Sequence, residues 1–377
     1  MKPWNVEICD VTLRDGEQTP GVSFSCAEKT DIARMLDGIG VEVIEAGFPS
    51  VSENEKLCVK TIANLGLDAR VCCLARAKES DLNDAIDSDV DMVSIFIATS
   101  DLHMRIKFKN KTREQVLDST LPLIDYAHYH GLSVRFAAED ASRTDMAFLK
   151  EVYRRASDHD ADLLSFADTV GCLTPMEMYR VMSDLVTTVD RPLCAHCHND
   201  MGCAVANTIT AAEAGAFQLH TTVNWIGERA GNAALEEVLI ALRTSGGVDR
   251  YDLSHLSALS RMVELYSGIA LPRNKPVVGE LAFSHESGIH IAAILEDPHS
   301  YENFPPELVG GERHFILGKH TGKKALEHVV AAMGCELSEP QICRVLEKVK
   351  KHSEEKCTIT PEVLKKMIRK AKEDTPS

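Results

Sequence analysis

The chain has 377 residues, 44% of them hydrophobic and 26% charged, an ordinary globular balance in a length that exceeds the roughly 250 residues of one large β/α barrel. A formal net charge of −16 excludes an electrostatic footprint for nucleic acid or an anionic membrane, so a small anionic ligand needs local cations, a metal or helix N-termini. No apolar run approaches the roughly 18 residues of a membrane helix and no secretory n-region opens the chain; its twelve scattered cysteines therefore read as reduced, largely buried thiols of a cytoplasmic protein.

Short β-rich runs recur, each followed by a stretch of helical periodicity. The predicted strands are residues 6–10, 41–48, 69–74, 92–98, 133–139, 163–168, 192–198 and 218–223. Helical segments such as 28–39 and 175–189 lie between them, many opened by Ser, Thr or Asp caps. Eight strand–helix units favour a closed (β/α)8 TIM barrel over a doubly wound open sheet. The open sheet would carry a Gly-rich phosphate turn after strand one, where this chain has Leu13-Arg14-Asp15-Gly16-Glu17. The barrel is expected over residues 1–250. Residues 251–322 read as a linker helix followed by a Gly- and His-rich active-site lid without periodicity. Residues 323–377 read as a C-terminal helical tail with a Lys- and Glu-rich face.

Polar residues gather where predicted strands end. Arg14 and Asp15 follow the first, Glu45 lies at the second, Arg76 at the third, Glu139 at the fifth, Asp168 and Thr169 at the sixth, and His196 and His198 at the seventh. The carboxyl ends of barrel strands open on one mouth, so these groups are expected to converge, although any one alone reads more simply as a helix cap or surface ion pair. In His196-Cys197-His198, strand alternation puts both imidazoles on one face and Cys197 on the other. Two imidazoles with Asp15, and an amide oxygen from Asn232 or Asn199, suit a catalytic divalent cation with open positions. Cys194 and Cys197 fall on opposite strand faces and read as structural.

The run Asp10-Val11-Thr12-Leu13-Arg14-Asp15-Gly16-Glu17-Gln18 resembles the opening motif of the metal-dependent Claisen-condensing synthases and lyases, a family that includes 2-isopropylmalate, citramalate and homocitrate synthases. The segments at 196–200, 227–236, 285–290 and 317–322 resemble four further motifs of that family in the same order, so the resemblance covers about residues 5–325. It implies a divalent metal (Mg²⁺, Mn²⁺ or Zn²⁺) held by Asp15, His196, His198 and Asn232, with acetyl-CoA as co-substrate. It implies Arg14 beside the oxygen that becomes negative, Gln18 against substrate or metal-bound water, and Thr169 and Glu139 in the substrate pocket, Glu139 there in support of the base; Glu45, from its strand end, is expected in the same pocket. His290 with Tyr301 nearby matches the lid pair that removes a proton from the thioester methyl group, a task suited to a side chain that titrates near neutrality. The family's lid covers the neighbouring subunit's site, which implies a homodimer.

Isopropylmalate and citramalate synthases usually carry a long C-terminal regulatory domain. This chain stops soon after the lid, and it resembles the short homocitrate synthases of the nitrogen-fixation and methanogen coenzyme-biosynthesis types, as do its segments 136–145 and 166–171. A 2-oxo dicarboxylate needs a second anchor. Arg135, four residues before Glu139 on the same strand face, is the candidate, with Arg76 and Lys78 as others. An apolar 2-oxo acid would leave Arg135 unpaired in the pocket. Lysine-biosynthetic homocitrate synthases carry an R-C-H segment where this chain reads Arg76-Ala77-Lys78, which leaves longer diacids such as 2-oxoadipate open. The expected activity is condensation of acetyl-CoA with 2-oxoglutarate to give homocitrate and CoA, with isopropylmalate or citramalate synthesis and acyl-CoA lysis as alternatives.

Overall fold

Strands buried on both faces must be apolar almost throughout. Apolar positions of this kind run through β3 (Arg70–Arg76), β4 (Met92–Ala98), β6 (Leu163–Asp168) and β7 (Leu193–Cys197), while β1 (Glu7–Asp10), β2 (Val43–Glu45), β5 (Ser133–Glu139) and β8 (Gln218–Thr221) also carry buried polar side chains. The computed structural model describes residues 3–109 and 111–374. In it each strand pairs in parallel with the next, and β8 returns to β1 from Glu7↔Gln218 to Asp10↔Thr221. The barrel closes as the alternation of strands and helices predicts. β2 ends at Glu45 rather than at residue 48, because the Phe48 N–H turns to Glu55 Oε1 (3.1 Å) and Pro49 opens a helical turn.

Small sulfur and aliphatic side chains, Cys9, Val43, Cys72, Met92, Leu163 and Cys194, pack as one buried cluster of barrel residues. Burial pushes the Cys9 thiol up to about 12, so it packs as a neutral hydrophobe. All twelve cysteines are free thiols.

The helix Cys26–Ile39 shows how an outer layer is fixed to the site. Ser25 and Glu28 form a capping box at its start, and Gly40 ends it in the left-handed region at φ 94°. Its buried face carries Ile32, Ala33, Leu36 and Ile39. Lys29 is buried on the same helix, with Nζ 2.7 Å from Glu17 and 2.8 Å from Glu55. This ion pair pins the turn Gly16–Gln18, which follows Arg14 and Asp15.

The chain divides after Leu271, and residues from Pro272 onward form a second compact unit. Two short parallel strands, Ser284–His285 and His314–Phe315, pair there beside the helix Gly288–Ile294. Three further helices, Lys323–Ala332, Glu339–Glu354 and Pro361–Asp374, bury a core of their own that includes Leu326, Val330, Ile342, Val345, Val349 and Leu364. Leu317 from the aperiodic stretch joins that core. Among the described residues no helix is long and apolar enough to cross a membrane.

Asp10 ends β1 fully buried, accepting hydrogen bonds from Thr12 N (2.9 Å) and Thr221 Oγ1 (3.4 Å). Burial outweighs these bonds and raises its pKa to about 7 from an ordinary 3.8. The folded state therefore holds this proton more tightly than the unfolded chain does. Its contribution is complete below the unfolded value and is lost as pH rises through the folded one. Asp10→Asn is expected to lose less stability than the parent between those two pH values, read from urea midpoints across the range. Parallel profiles for the two proteins would overturn this assignment.

Candidate active site

A cavity of about 290 Å³ lies at the carboxyl ends of the strands, and its wall follows from strand alternation. Positions 94 and 96 on β4, 135, 137 and 139 on β5, 165 and 167 on β6, and 196 on β7 with 198 just beyond its end all face it. Arg14, Asp15, Gln18, Glu45, Glu139, Thr169, His196 and His198 are thereby brought together.

Asp15, His196 and His198 meet at one end of this cavity. His196 Nε2 lies 3.2 Å from Asp15 Oδ2 and 3.2 Å from His198 Nε2, and His198 Nε2 lies 3.9 Å from the same carboxylate oxygen. Their three ligand atoms fall within 4.8 Å of one another. Burial and then the neighbouring imidazole push His198 down to about 4, so it is a neutral imidazole at ordinary pH. Burial works against ionisation of Asp15, yet the Arg14 guanidinium beside it holds its carboxyl well below the usual range. Among the described residues Asp15 Oδ1, His198 Nδ1 and Asn232 Oδ1 are buried without a hydrogen-bond partner. Buried polar atoms are normally satisfied. Two imidazoles and a carboxylate so close together, with one buried carboxylate oxygen left unsatisfied, fit a divalent cation.

A hydrogen-bond relay sets the tautomer of His196. Gln218 Oε1 can only accept, so His220 Nε2 at 3.1 Å must carry a proton. Burial, and then Arg135, keep His220 neutral by pulling its pKa well below the imidazole value, so its Nδ1 is a lone pair. His196 Nδ1, 3.3 Å away, then donates, which leaves the His196 Nε2 lone pair aimed at Asp15 and His198. The amide side of Gln218 is fixed in turn by donating to Glu7 Oε1 at 2.7 Å.

Beneath the cavity runs a chain of buried charges. Arg14 Nη1 lies 3.1 Å from Asp15 Oδ2 and its Nε donates to Glu45 Oε1 at 2.5 Å. Glu45 Oε2 in turn accepts from Arg135 Nη2. Arg135 also donates to Gln218 Oε1 (2.8 Å), Ser94 Oγ (3.2 Å) and Cys9 Sγ (3.1 Å). Expected as the anchor of a distal substrate carboxylate, Arg135 borders the cavity with its guanidinium already engaged by protein atoms. The argument that an apolar substrate would leave it unpaired is therefore overturned, because its partners come from the barrel itself. Arg76 is absent from the cavity wall: Asp81 holds it bidentately at 2.7 and 3.0 Å, at the start of the helix Glu79–Asp87. Asn199 is likewise committed, its Oδ1 accepting from Ala204 N, whereas the Asn232 oxygen is free of such a bond.

Glu139 is gripped by Lys107 Nζ at 2.5 and 2.7 Å, with His103 Nδ1 3.6 Å away. Thr169 Oγ1 accepts from Asp140 N at 2.9 Å. Arg229 donates to Asp200 (2.8 and 3.0 Å) and to Thr169 O (2.7 Å), which ties together the loops after β6, β7 and β8. Gly231 turns at φ 81°, where a Cβ would lie 1.7 Å from Trp225 O, and so only glycine delivers Asn232 to its place. In the second unit His290 stacks on Tyr301 with ring centroids 4.0 Å apart and planes inclined by 23°. Sequence reasoning did not single out Lys107, Gln218 or His220. The Gln218/His220 alternation on β8 carried a usable signal; Lys107, on a helix after β4, carried none.

Removing Arg135 alone would strand Glu45, which is fully buried, with only Arg14 as a counter-charge. Arg135→Met is expected to cost about 3–5 kcal/mol of unfolding free energy. Converting both partners, Arg135→Met with Glu45→Leu, should recover much of it. Guanidinium unfolding of the three proteins checks this, and a single variant as stable as the parent would sink the assignment.

A family model described as HMGL-like matches residues 5–263, and another described as homocitrate synthase post-HMGL domain-like matches residues 277–357. The chain is 52% identical over 375 residues to homocitrate synthase AksA of Methanosarcina acetivorans, a match that covers 99% of this chain and 92% of that protein. It is 49% identical over 336 residues to 2-isopropylmalate synthase of Methanocaldococcus jannaschii, covering 89% of this chain and 65% of that one. Among solved structures, hydroxymethylglutaryl-CoA lyase from Pseudomonas aeruginosa shares the fold with a TM-score of 0.64 at 22% identity, over 71% of this chain and 95% of that one. The chain therefore belongs to the HMGL-like family, with a homocitrate synthase post-HMGL domain-like region after its barrel.

Proposed function

We propose that this chain is a cytoplasmic acyltransferase of the homocitrate synthase type, condensing acetyl-CoA with 2-oxoglutarate or a longer 2-oxo dicarboxylate and releasing CoA. The observation that carries the reading is the buried trio Asp15, His196 and His198 beside Arg14 in one cavity, in a chain 52% identical to a homocitrate synthase over almost its whole length.

Asp15, His196 and His198, with the Asn232 oxygen beside them, would hold a divalent cation such as Mg²⁺, Mn²⁺ or Zn²⁺, which supplies Lewis acidity towards the ketone of the 2-oxo acid. Arg14, partly exposed to the cavity, stands ready for the oxygen that becomes negative as the new carbon–carbon bond forms. Gln18 and Thr169 line the wall and orient the 2-oxo acid. His290, stacked on Tyr301, takes the proton from the thioester methyl group, and Glu139 assists it. The resulting carbanion attacks the ketone carbon, and the oxygen formed there takes up a proton. Water then cleaves the thioester, which releases CoA as a thiol and leaves a tricarboxylate. The protein acts as a homodimer in which each subunit's lid serves its partner.

One observation favours a second reading, 2-isopropylmalate synthesis. Arg135 has its counter-charge inside the barrel, so a 2-oxo acid without a distal carboxylate leaves no charge bare. The 49% identity to a 2-isopropylmalate synthase points the same way.

The test is CoA release from acetyl-CoA with Mg²⁺ or Mn²⁺ against 2-oxoglutarate, 2-oxoadipate, 2-oxoisovalerate and pyruvate. Turnover is expected with the dicarboxylates, abolished by a chelator and lowered about 100-fold or more by His290→Ala. Asp15→Asn should also weaken Mn²⁺ binding in calorimetry by more than about 100-fold, since even second-shell changes cost 10–100-fold. Turnover with 2-oxoisovalerate alone would select the second reading, and silence with all four acids would reject both.

A further inference from the structure

In a chain of net charge −16, residues 105–113 read Arg-Ile-Lys-Phe-Lys-Asn-Lys-Thr-Arg, five cations in nine positions. The helix Asp101–Lys107 leads into this segment just after β4. Lys107, its last residue, lines the catalytic cavity and binds Glu139. Asp101, Met104, Arg105, Phe108, Lys109, Lys111 and Arg113 enclose a second pocket of about 530 Å³, its one carboxylate being Asp101. One short helix end thus borders both spaces.

The cations of this second pocket differ in their commitments. Arg113 is engaged, 2.5 Å from Asp101 and stacked 4.1 Å over the Phe148 ring. Arg105, Lys109 and Lys111 are exposed, and among the described residues none has a carboxylate within ion-pair range. Cations held this close together repel one another and favour an anion between them. Half-buried Phe108 and the side chain of Met104 add a ring face and a polarisable apolar surface in the same pocket. Several cations beside an aromatic face suit a ligand with several phosphates and a planar base.

We propose that this pocket binds the phosphorylated adenosine end of the acyl-CoA co-substrate, with Arg105, Lys109 and Lys111 on its phosphates and Phe108 against its base. The inference rests on the condensation reading, which supplies the ligand class. The acyl end must reach the catalytic cavity, and the helix Asp101–Lys107 supplies residues to the walls of both spaces.

Calorimetric titration of the full-length protein with CoA and with 3′-dephospho-CoA tests the site without requiring turnover. The parent is expected to bind CoA more tightly than the dephospho form, with affinity falling as salt is raised. The triple variant Arg105→Ala, Lys109→Ala, Lys111→Ala should lose about tenfold or more in CoA affinity and lose the discrimination between the two nucleotides. Arg105→Lys, Lys109→Arg, Lys111→Arg should keep both. Unchanged melting temperature and unchanged Mn²⁺ affinity in the alanine variant would show that the barrel is intact. Parent-like affinity and discrimination in that variant, or no CoA binding by the parent, would overturn the proposal. CoA binding with the expected losses but no condensation with any 2-oxo acid would uphold the pocket and reject the condensation reading.

Discussion

The interior of this barrel depends on a line of alternating charges, Asp15, Arg14, Glu45 and Arg135, that neutralise one another out of water. Each is costly to bury alone. Together they keep Asp15 and Glu45 ionised despite burial, because a guanidinium lies against each carboxylate. All four line the same cavity, and Arg14 is coupled to Arg135 through the Glu45 carboxylate they share. Arg135 ends at Gln218, and Gln218 sets the proton on His220 and hence the lone pair on His196. The geometry of the proposed metal ligands and the buried-charge balance are therefore one network.

Around that network, much of what looks like functional sequence is scaffolding. In Gly227-Glu228-Arg229-Ala230-Gly231-Asn232, Arg229 clasps Asp200 and Thr169 O, and Gly231 makes a turn that a side chain would block. The clasp joins three loops that would otherwise move independently at the mouth. Lys29 does the same from outside, fixing the turn after Asp15 through Glu17 and reaching the β2 loop through Glu55. Preorganisation of this kind would let the proposed cation site keep polar atoms without partners, since the loops cannot relax to satisfy them.

The second unit has an internal order of its own. Glu302 accepts from Arg313 at 2.6 Å on both oxygens, and His285 lies 3.5 Å away. At Gly288 an added Cβ would meet Gly322 N at 2.4 Å, so two family-like segments distant in sequence cross without room for a side chain. His290 and Tyr301 stack within this unit, so the geometry of the pair is set by the unit's own packing.

Local rules were enough for the parts of the protein that depend on neighbours in sequence. Runs of strand-forming residues between capped helices made the eight-stranded barrel legible, and the period of two made His196 and His198 legible as a pair. What those rules could not reach was who stands opposite whom across the barrel. Arg135 read as a free cation because its partners, Glu45 and Gln218, lie 90 and 83 residues away and meet it only through strand register and barrel closure. Arg76 read as convergent because it follows a strand, but Asp81, five residues on, turns it to a helix start. Lys107 reaches Glu139 across 32 residues from a helix whose position the sequence pattern does not specify. The sequence by itself determined the eight barrel strands, their order and the residue types that chemistry would need. Only the tertiary structure decided which charges are consumed internally and which are left for a ligand, because burial and pairing are properties of the closed barrel rather than of any strand in it.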